Sequence, residues 1–276
     1  MGEGDPHGHQ RGQRFAATEP CSGGAGLGCG SSHRAVILGS EQLWHHQSVL
    51  ADADISPVAS LLADPARVAM LLALSGGQEV AVNELAQTAG ISLPTASSHL
   101  AKLAAAGIVG MRRQGRHHLY RLVRPELVRA MEALALLAPE SAPRTHRQAR
   151  IGRAVRAART CYDHLAGRLG VAVTGALVER RALRRVDGHF ELTHSGARLL
   201  AELGIDIEAA RARRRVFAPA CLDWSERVPH LAGALGAALL ALFLDREWIR
   251  RTPASRAVEV TLAGRRALSR VFGVTS

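Results

Sequence analysis

Two short stretches concentrate side chains able to hold an ion or react as nucleophiles. "CYDHLAG" (161–167) carries Cys161, Asp163 and His164, and "CLDWSERVPHLAG" (221–233) carries Cys221, Asp223, Glu226 and His230. Thiolates and imidazoles are soft-to-borderline ligands, and two Cys–His pairs together make the four-donor set that a tetrahedral ion such as zinc accepts. Cys161 and His164, three apart, can share one helix face, whereas Cys221 and His230 are further apart and fit a common helix less well. Packing explains most neighbouring positions. Leu165, Leu169, Val173 and Leu177 form an i, i+4 stripe whose twin is Leu231, Leu235, Leu239 and Phe243. Ala166, Gly167 and Gly170, matched by Ala232, Gly233 and Gly236, leave thin helix faces; Asp163 suits an N-cap, and Asp223 with Glu226 a capping box. Cys161, His164, Cys221 and His230 are left over. Three readings stand for them: a thiophilic metal ion such as zinc, a thiol-reactive signal, or a role in structure or organic-ligand binding with no metal.

The elements that position these residues repeat. Residues 164–205 lie over 230–274 with a two-residue insertion, and "FELTHSGARLL" continues against "VEVTLAGRRAL". Each copy, about 161–205 and 221–274, reads as a long helix, a second basic helical stretch, one or two short strands and a closing helix. The expectation is a duplicated C-terminal domain over 147–276, with winged-helix-like halves about a pseudo-two-fold axis. "PESAPRTH" (139–146), with two prolines and no apolar face, reads as a linker before it.

Upstream, residues 53–138 give helix, helix, helix, turn, helix, hairpin, helix. Asp64 and Pro65 open the second helix, Gly90 ends the third, and Ser92 and Gly107 bound the fourth. "VGMRRQGRHHLYRLV" turns about Gly115, and Pro125 begins the last helix. In this order, the "SxHLxxL" spacing and the "RxGRxxxYxL" hairpin of "NELAQTAGISLPTASSHLAKLAAAGIVGMRRQGRHHLYRL" resemble the ArsR/SmtB family of bacterial transcriptional regulators. The fold class is therefore mainly α, a winged helix-turn-helix followed by the duplicated helical domain.

Ser92, Thr95, Ser97, Ser98, His99 and Lys102 face away from Leu100 and Leu103, and short hydroxyls near a helix start can approach base edges or phosphates in a major groove. Arg112, Arg113, Arg116, His117 and His118 surround the hairpin tip, where arginine suits a minor groove or flanking phosphates. The resemblance implies a homodimer through the terminal helices, and with it an inverted-repeat operator on double-stranded DNA. Leu127, Met131, Leu134 and Ala138, with Val58, Leu61 and Leu62, are the apolar positions available for that contact. The family's familiar metal sites use cysteines before the turn or histidines on the last helix. "VAVNELAQ" and "PELVRAMEALALLA" have neither, so an effector must be read elsewhere.

Composition agrees with an anionic partner. The net charge of +11 comes almost wholly from arginine, Lys102 being the sole lysine. Four cysteines in 276 residues are too few for a disulfide framework, and the uncharged run from Leu231 to Leu244 is shorter than the ~20 residues of a membrane span. No secretory signal opens the chain, and a cytoplasmic location is expected. Residues 1–52, rich in Gly, Ser, His and Gln, are expected to be a disordered N-terminal extension. No enzyme constellation emerges. The sequence thus reads as a DNA-binding repressor with an effector-sensing C-terminal domain; the alternative is a constitutive architectural DNA-binding protein using "ERRALRR" and "RARRR" as a second basic surface.

Overall fold

A computed structural model describes residues 53–139, 142–143 and 145–275; the expectation for 1–52 lies outside the described residues. The head contains α1 (Ser56–Leu62), α2 (Pro65–Leu74), β1 (Val80–Ala81), α3 (Val82–Ala89), α4 (Leu93–Ala105), β2 (Val109–Gln114), β3 (His117–Leu122) and α5 (Pro125–Leu137). Its boundaries follow local chemistry. Asp64 accepts from the Arg67 amide with Pro65 at the first helical position, Gly90 takes the left-handed φ of 68° that ends α3, and Ser92 accepts from the Thr95 amide. Met70, Leu71, Leu74, Leu85, Leu100 and Leu103 form the core over which α2, α3 and α4 cross. The wing is an antiparallel pair with Gln114 opposite His117, closed by Gly115 and Arg116, and Gly115 supplies the positive φ of 58° that a two-residue loop needs. β1 joins it in the order β1-β3-β2, a strand of two residues too short to show any period in the sequence.

Next comes α6 (His146–Ala157), which Thr145 caps by accepting from the Gln148 amide, so the expected linker already contains the cap and first residue of a helix. The order hairpin, helix, hairpin, helix then occurs twice. The first set is β4 (Arg159–Cys161), β5 (His164–Ala166), α7 (Gly167–Glu179), β6 (Leu183–Val186), β7 (His189–Leu192) and α8 (His194–Glu202). After α9 (Ile207–Arg211), the second is β8 (Ala220–Leu222), β9 (Pro229–Leu231), α10 (Gly233–Asp245), β10 (Ile249–Arg251), β11 (Val258–Val260) and α11 (Leu262–Phe272). One shared core runs through both sets, with Leu169, Val173 and Leu177 of α7 and Leu235, Leu239 and Phe243 of α10 all buried in it.

Three expectations need correction here. The Cys–Asp–His phrases form hairpins and not helix starts, because the helices begin only at Gly167 and Gly233, both at φ above 70°. Asp163 therefore caps no helix, and Leu165 and Leu231 lie on strands. The basic stretches after α7 and α10 are strands as well: Arg181 and Glu247 adopt left-handed φ of 55° and 51°, which stops each helix, and buried Leu183 and Ile249 are followed by exposed arginines. Lastly, the head is not a bead on a linker. Arg251 donates to the Gly76 carbonyl, Gln78 to the carbonyls of Thr252 and Ser255, Thr88 to that of Ala254 and Arg227 to that of Leu136. The apolar run Leu231–Leu244 is a core segment, and among the described residues no single helix is long and apolar enough to cross a membrane.

Candidate functional site

In the head, Ser92, Thr95, Ser97, Ser98 and Lys102 lie exposed along α4, and Arg112, Arg113, Arg116, His117 and His118 lie exposed on the wing. Their availability differs. The Ser92 and Thr95 hydroxyls are 2.7 Å apart and bonded to each other at the helix start, while Ser97, Ser98 and Lys102 project from the next turns. His99 turns inward: half-buried, it has Nδ1 3.4 Å from Arg67 Nη1 and Nε2 3.9 Å from Asp64 Oδ2, tying α4 to the start of α2. Arg112 is held by both carboxylate oxygens of Glu79, which neutralises much of its charge, whereas Arg113 folds back to donate to the Gly115 carbonyl at the tip beside Arg116.

In the C-terminal half of the chain, the two hairpins place one Cys–His pair each at the same register. Cys161 lies opposite His164 across β4 and β5, and Cys221 opposite His230 across β8 and β9. Directly opposed residues of an antiparallel pair share a face with Cβ atoms ~4.5–5.5 Å apart. The unequal spacing of the two phrases thus only reflects loop length, two residues in the first hairpin and six in the second. The hairpins face each other. The sulfurs are 4.0 Å apart, the imidazole centroids 5.1 Å apart, and one donor atom from each of the four side chains lies within 4.8 Å of all the others. Cys161, His164 and His230 are buried and Cys221 is half-buried. The fit is crossed: Thr174 on α7 receives the Leu231 amide of β9, and Gly236 on α10 faces β5 so closely that a Cβ there would stand 3.1 Å from that of His164.

Each imidazole has a carboxylate beside Nδ1, Asp163 at 3.5 Å from His164 and Asp223 at 3.4 Å from His230. Asp163 is anchored by Arg215. Asp223, fully buried, accepts from Arg159 Nη2 at 2.9 Å, from the Gly167 amide at 2.7 Å and from the Ser225 and Glu226 amides. The capping box expected of Asp223 and Glu226 is therefore replaced by something longer in reach: Asp223 binds the first turn of its own loop and also the first amide of α7.

Electrostatics set the thiols apart. The contact with Cys161 depresses the Cys221 pKa to about 2, with His164 and His230 adding to the effect against the penalty of burial. The same contact and burial push Cys161 well up. Burial works to lower His164, but Asp163 and Cys221 outweigh it and leave its pKa raised. The arrangement is a pair of thiols of unlike acidity beside two imidazoles, a donor set suited to an electrophile or a metal ion.

Sequence reading missed the charges behind this cluster. Arg159, immediately before Thr160 and Cys161, is fully buried; besides Asp223 it lies 3.7 Å from Glu132 of α5, and Glu132 pairs with buried Arg256. The guanidinium groups of Arg156, Arg159 and Arg256 lie 5.0, 4.8 and 5.9 Å from the centre of the Trp224 ring. The available signal was Glu132 itself, a lone acid in the apolar run "MEALALLA".

Known proteins are similar in sequence to part or most of this chain. A helix-turn-helix domain family matches residues 62–112. The HTH-type transcriptional regulator YdfF of Bacillus subtilis is 42% identical over 221 residues, 80% of this chain and 98% of that protein, a length that exceeds the head and so includes C-terminal residues. The HTH-type transcriptional regulator KmtR of Mycobacterium tuberculosis is 43% identical over 96 residues, 33% of this chain and 72% of that one. Among solved structures, the transcriptional repressor BigR from Xylella fastidiosa is 31% identical with a TM-score of 0.30, covering 32% of this chain and 88% of that chain. With its helix-turn-helix, wing and near full-length relative, the chain belongs to the ArsR/SmtB family of winged helix-turn-helix, DNA-binding transcriptional regulators.

Proposed function

We propose that this protein is an effector-controlled repressor that binds an inverted-repeat operator as a homodimer, with its C-terminal domain setting operator affinity. The observation that carries the reading is the buried ion cluster of Glu132, Arg256, Arg159 and Asp223. It joins α5 of the head to the hairpins that hold the thiols and imidazoles. A constitutive DNA-binding protein has no need to route buried charges, each costly to desolvate, between its head and a remote cluster.

Ser97, Ser98 and Lys102 on α4 are the groove contacts, and Arg113, Arg116 and His117 on the wing reach the backbone or minor groove. Dimerisation uses α1 and the distal half of α5. Leu127 and Met131 belong to the head's own core, while Leu134 and Leu137 remain 52% and 83% exposed and Val58 43% exposed, beside a groove lined by Leu62, Val68 and Met131. An apolar face of this kind fits a twin of itself about a two-fold axis.

The test is operator binding by the full chain, selected from random duplexes, followed by a comparison of full and half sites. A two-fold symmetric site bound far more tightly than its half supports the reading, and Leu134→Glu should shift the protein to monomer and reduce that preference. Sequence-indifferent binding with equal affinity for every duplex would overturn it in favour of an architectural protein.

A further inference from the structure

We propose that Cys161, His164, Cys221 and His230 bind one thiophilic, tetrahedral metal ion of the zinc type per chain, and that this ion is the effector; the second part rests on the effector-controlled reading above. Geometry comes first. A tetrahedral ion with metal–sulfur bonds of ~2.3 Å separates two sulfurs by about 3.8 Å, and the two sulfurs here stand 4.0 Å apart with all four donors inside 4.8 Å. Closing onto an ion takes a few tenths of an ångström at the sulfurs and about 1 Å at the most widely separated donors.

The imidazoles supply the second observation. His164 and His230 are 6% and 0% exposed, and neither ring nitrogen of either has a hydrogen-bond partner among the described residues. Two buried imidazoles left in this state are costly, and a metal ion removes the cost at both. Asp163 and Asp223 face Nδ1 of the two rings, which leaves Nε2 of each as the donor. A carboxylate behind the ring fixes tautomer and orientation, the usual support for a metal-ligating histidine. Both carboxylates are themselves held, Asp163 by Arg215 and Asp223 by Arg159.

The competing uses of the cluster explain less. A Cys161–Cys221 disulfide would employ the sulfurs and leave the buried Nε2 atoms of both imidazoles without partners. Packing alone gives no reason to sink two histidines between hairpins where apolar residues would serve. Hard oxygen-seeking ions such as magnesium or calcium are excluded by a sulfur and nitrogen donor set. The path out of the site is equally specific. Asp223 touches His230 and Arg159, and Arg159 reaches Glu132 on α5, so ordering His230 on an ion acts on the helix assigned above to dimerisation.

The test uses full-length protein with Cys21→Ser and Cys29→Ser, so that Cys161 and Cys221 are its only thiols, purified reduced and metal-free. Zinc(II) titrated against a chromogenic chelator should bind at one per chain, and cobalt(II) should give the intense visible bands and sulfur-to-metal charge transfer of a tetrahedral thiolate site. Cys161→Ser, Cys221→Ser and His230→Gln should each weaken zinc binding by at least a hundredfold. Should these variants misfold, the same question is answered without them: zinc should protect both thiols of the parent protein from alkylation, and a chelator should restore labelling. Absence of stoichiometric zinc together with unprotected thiols overturns the site. Zinc bound at one per chain with operator affinity unchanged within twofold keeps the site and overturns its role as effector. A change of fivefold or more, abolished by Glu132→Gln while zinc still binds, supports both and identifies the route.

Discussion

Replacing Asp223 by Asn removes one charge from a buried set in which two carboxylates, Asp223 and Glu132, balance two guanidinium groups, Arg159 and Arg256. Arg159 has no exposed surface, so water cannot compensate it, and its 2.9 Å bond to Asp223 is the shorter of its two carboxylate contacts. Breaking a buried ion pair at one end costs about 3–5 kcal/mol. Asn can still accept some of the bonds from Gly167, Ser225 and Glu226, so loss of the charge should dominate. The expected destabilisation of metal-free protein is therefore about 3–5 kcal/mol, a large part of the ~5–15 kcal/mol that holds a domain folded. Urea unfolding with chelator and reductant present measures it, alongside Arg159→Met and the double variant. The double variant should cost less than the sum of the two, because no uncompensated charge is left at that pair. A cost below about 1 kcal/mol for Asp223→Asn, or strict additivity in the cycle, would refute the claim that this pair is a buried structural link.

Other outcomes follow from the same geometry. Arg116→Ala at the exposed wing tip should weaken binding to specific and unrelated duplexes alike and lower the salt slope by about one unit, the signature of one lost phosphate contact; an unchanged slope would place Arg116 away from DNA. Glu79→Gln should release Arg112, which Glu79 now grips, and so strengthen non-specific binding with a steeper salt dependence, measured by fluorescence anisotropy at several salt concentrations. Stability of the metal-free protein should fall on acidification: Arg159, the Gly167 amide and Ser225 outweigh burial and hold the Asp223 carboxyl well below its ordinary range. Its contribution is present above the unfolded value near pH ~3.9 and is lost as pH drops through the lower folded value. Asp223→Asn should flatten that acid limb in urea titrations at pH 2 to 5, and an unaltered limb would assign acid sensitivity to other groups.

The head was legible because its signals are local. A capping Asp64 before Pro65, Gly90 at a helix end, Ser92 at a helix start and Gly115 at the hairpin turn each act within a few positions, and together they specify the order of elements. The echo of two Cys–His phrases was legible as well, since the apolar stripes and small-residue faces accounted for their neighbours and left those four side chains over. The hairpins that carry them were not, because strands of three residues are too short for a period of two to stand out from the helical stripe that follows. Nor could spacing reveal that a two-residue loop and a six-residue loop bring both pairs to the same cross-strand register. The deepest difference concerns the charges. Arg159 and Asp223 are 64 positions apart and Glu132 and Arg256 are 124 apart, and in a strongly basic chain any arginine passes for a solvated one until the fold removes its water. Local chemistry written into the sequence decided which elements form and which residues are available. Tertiary structure decided which of them are buried together, because desolvation and ion pairing depend on neighbours that only the folded chain supplies.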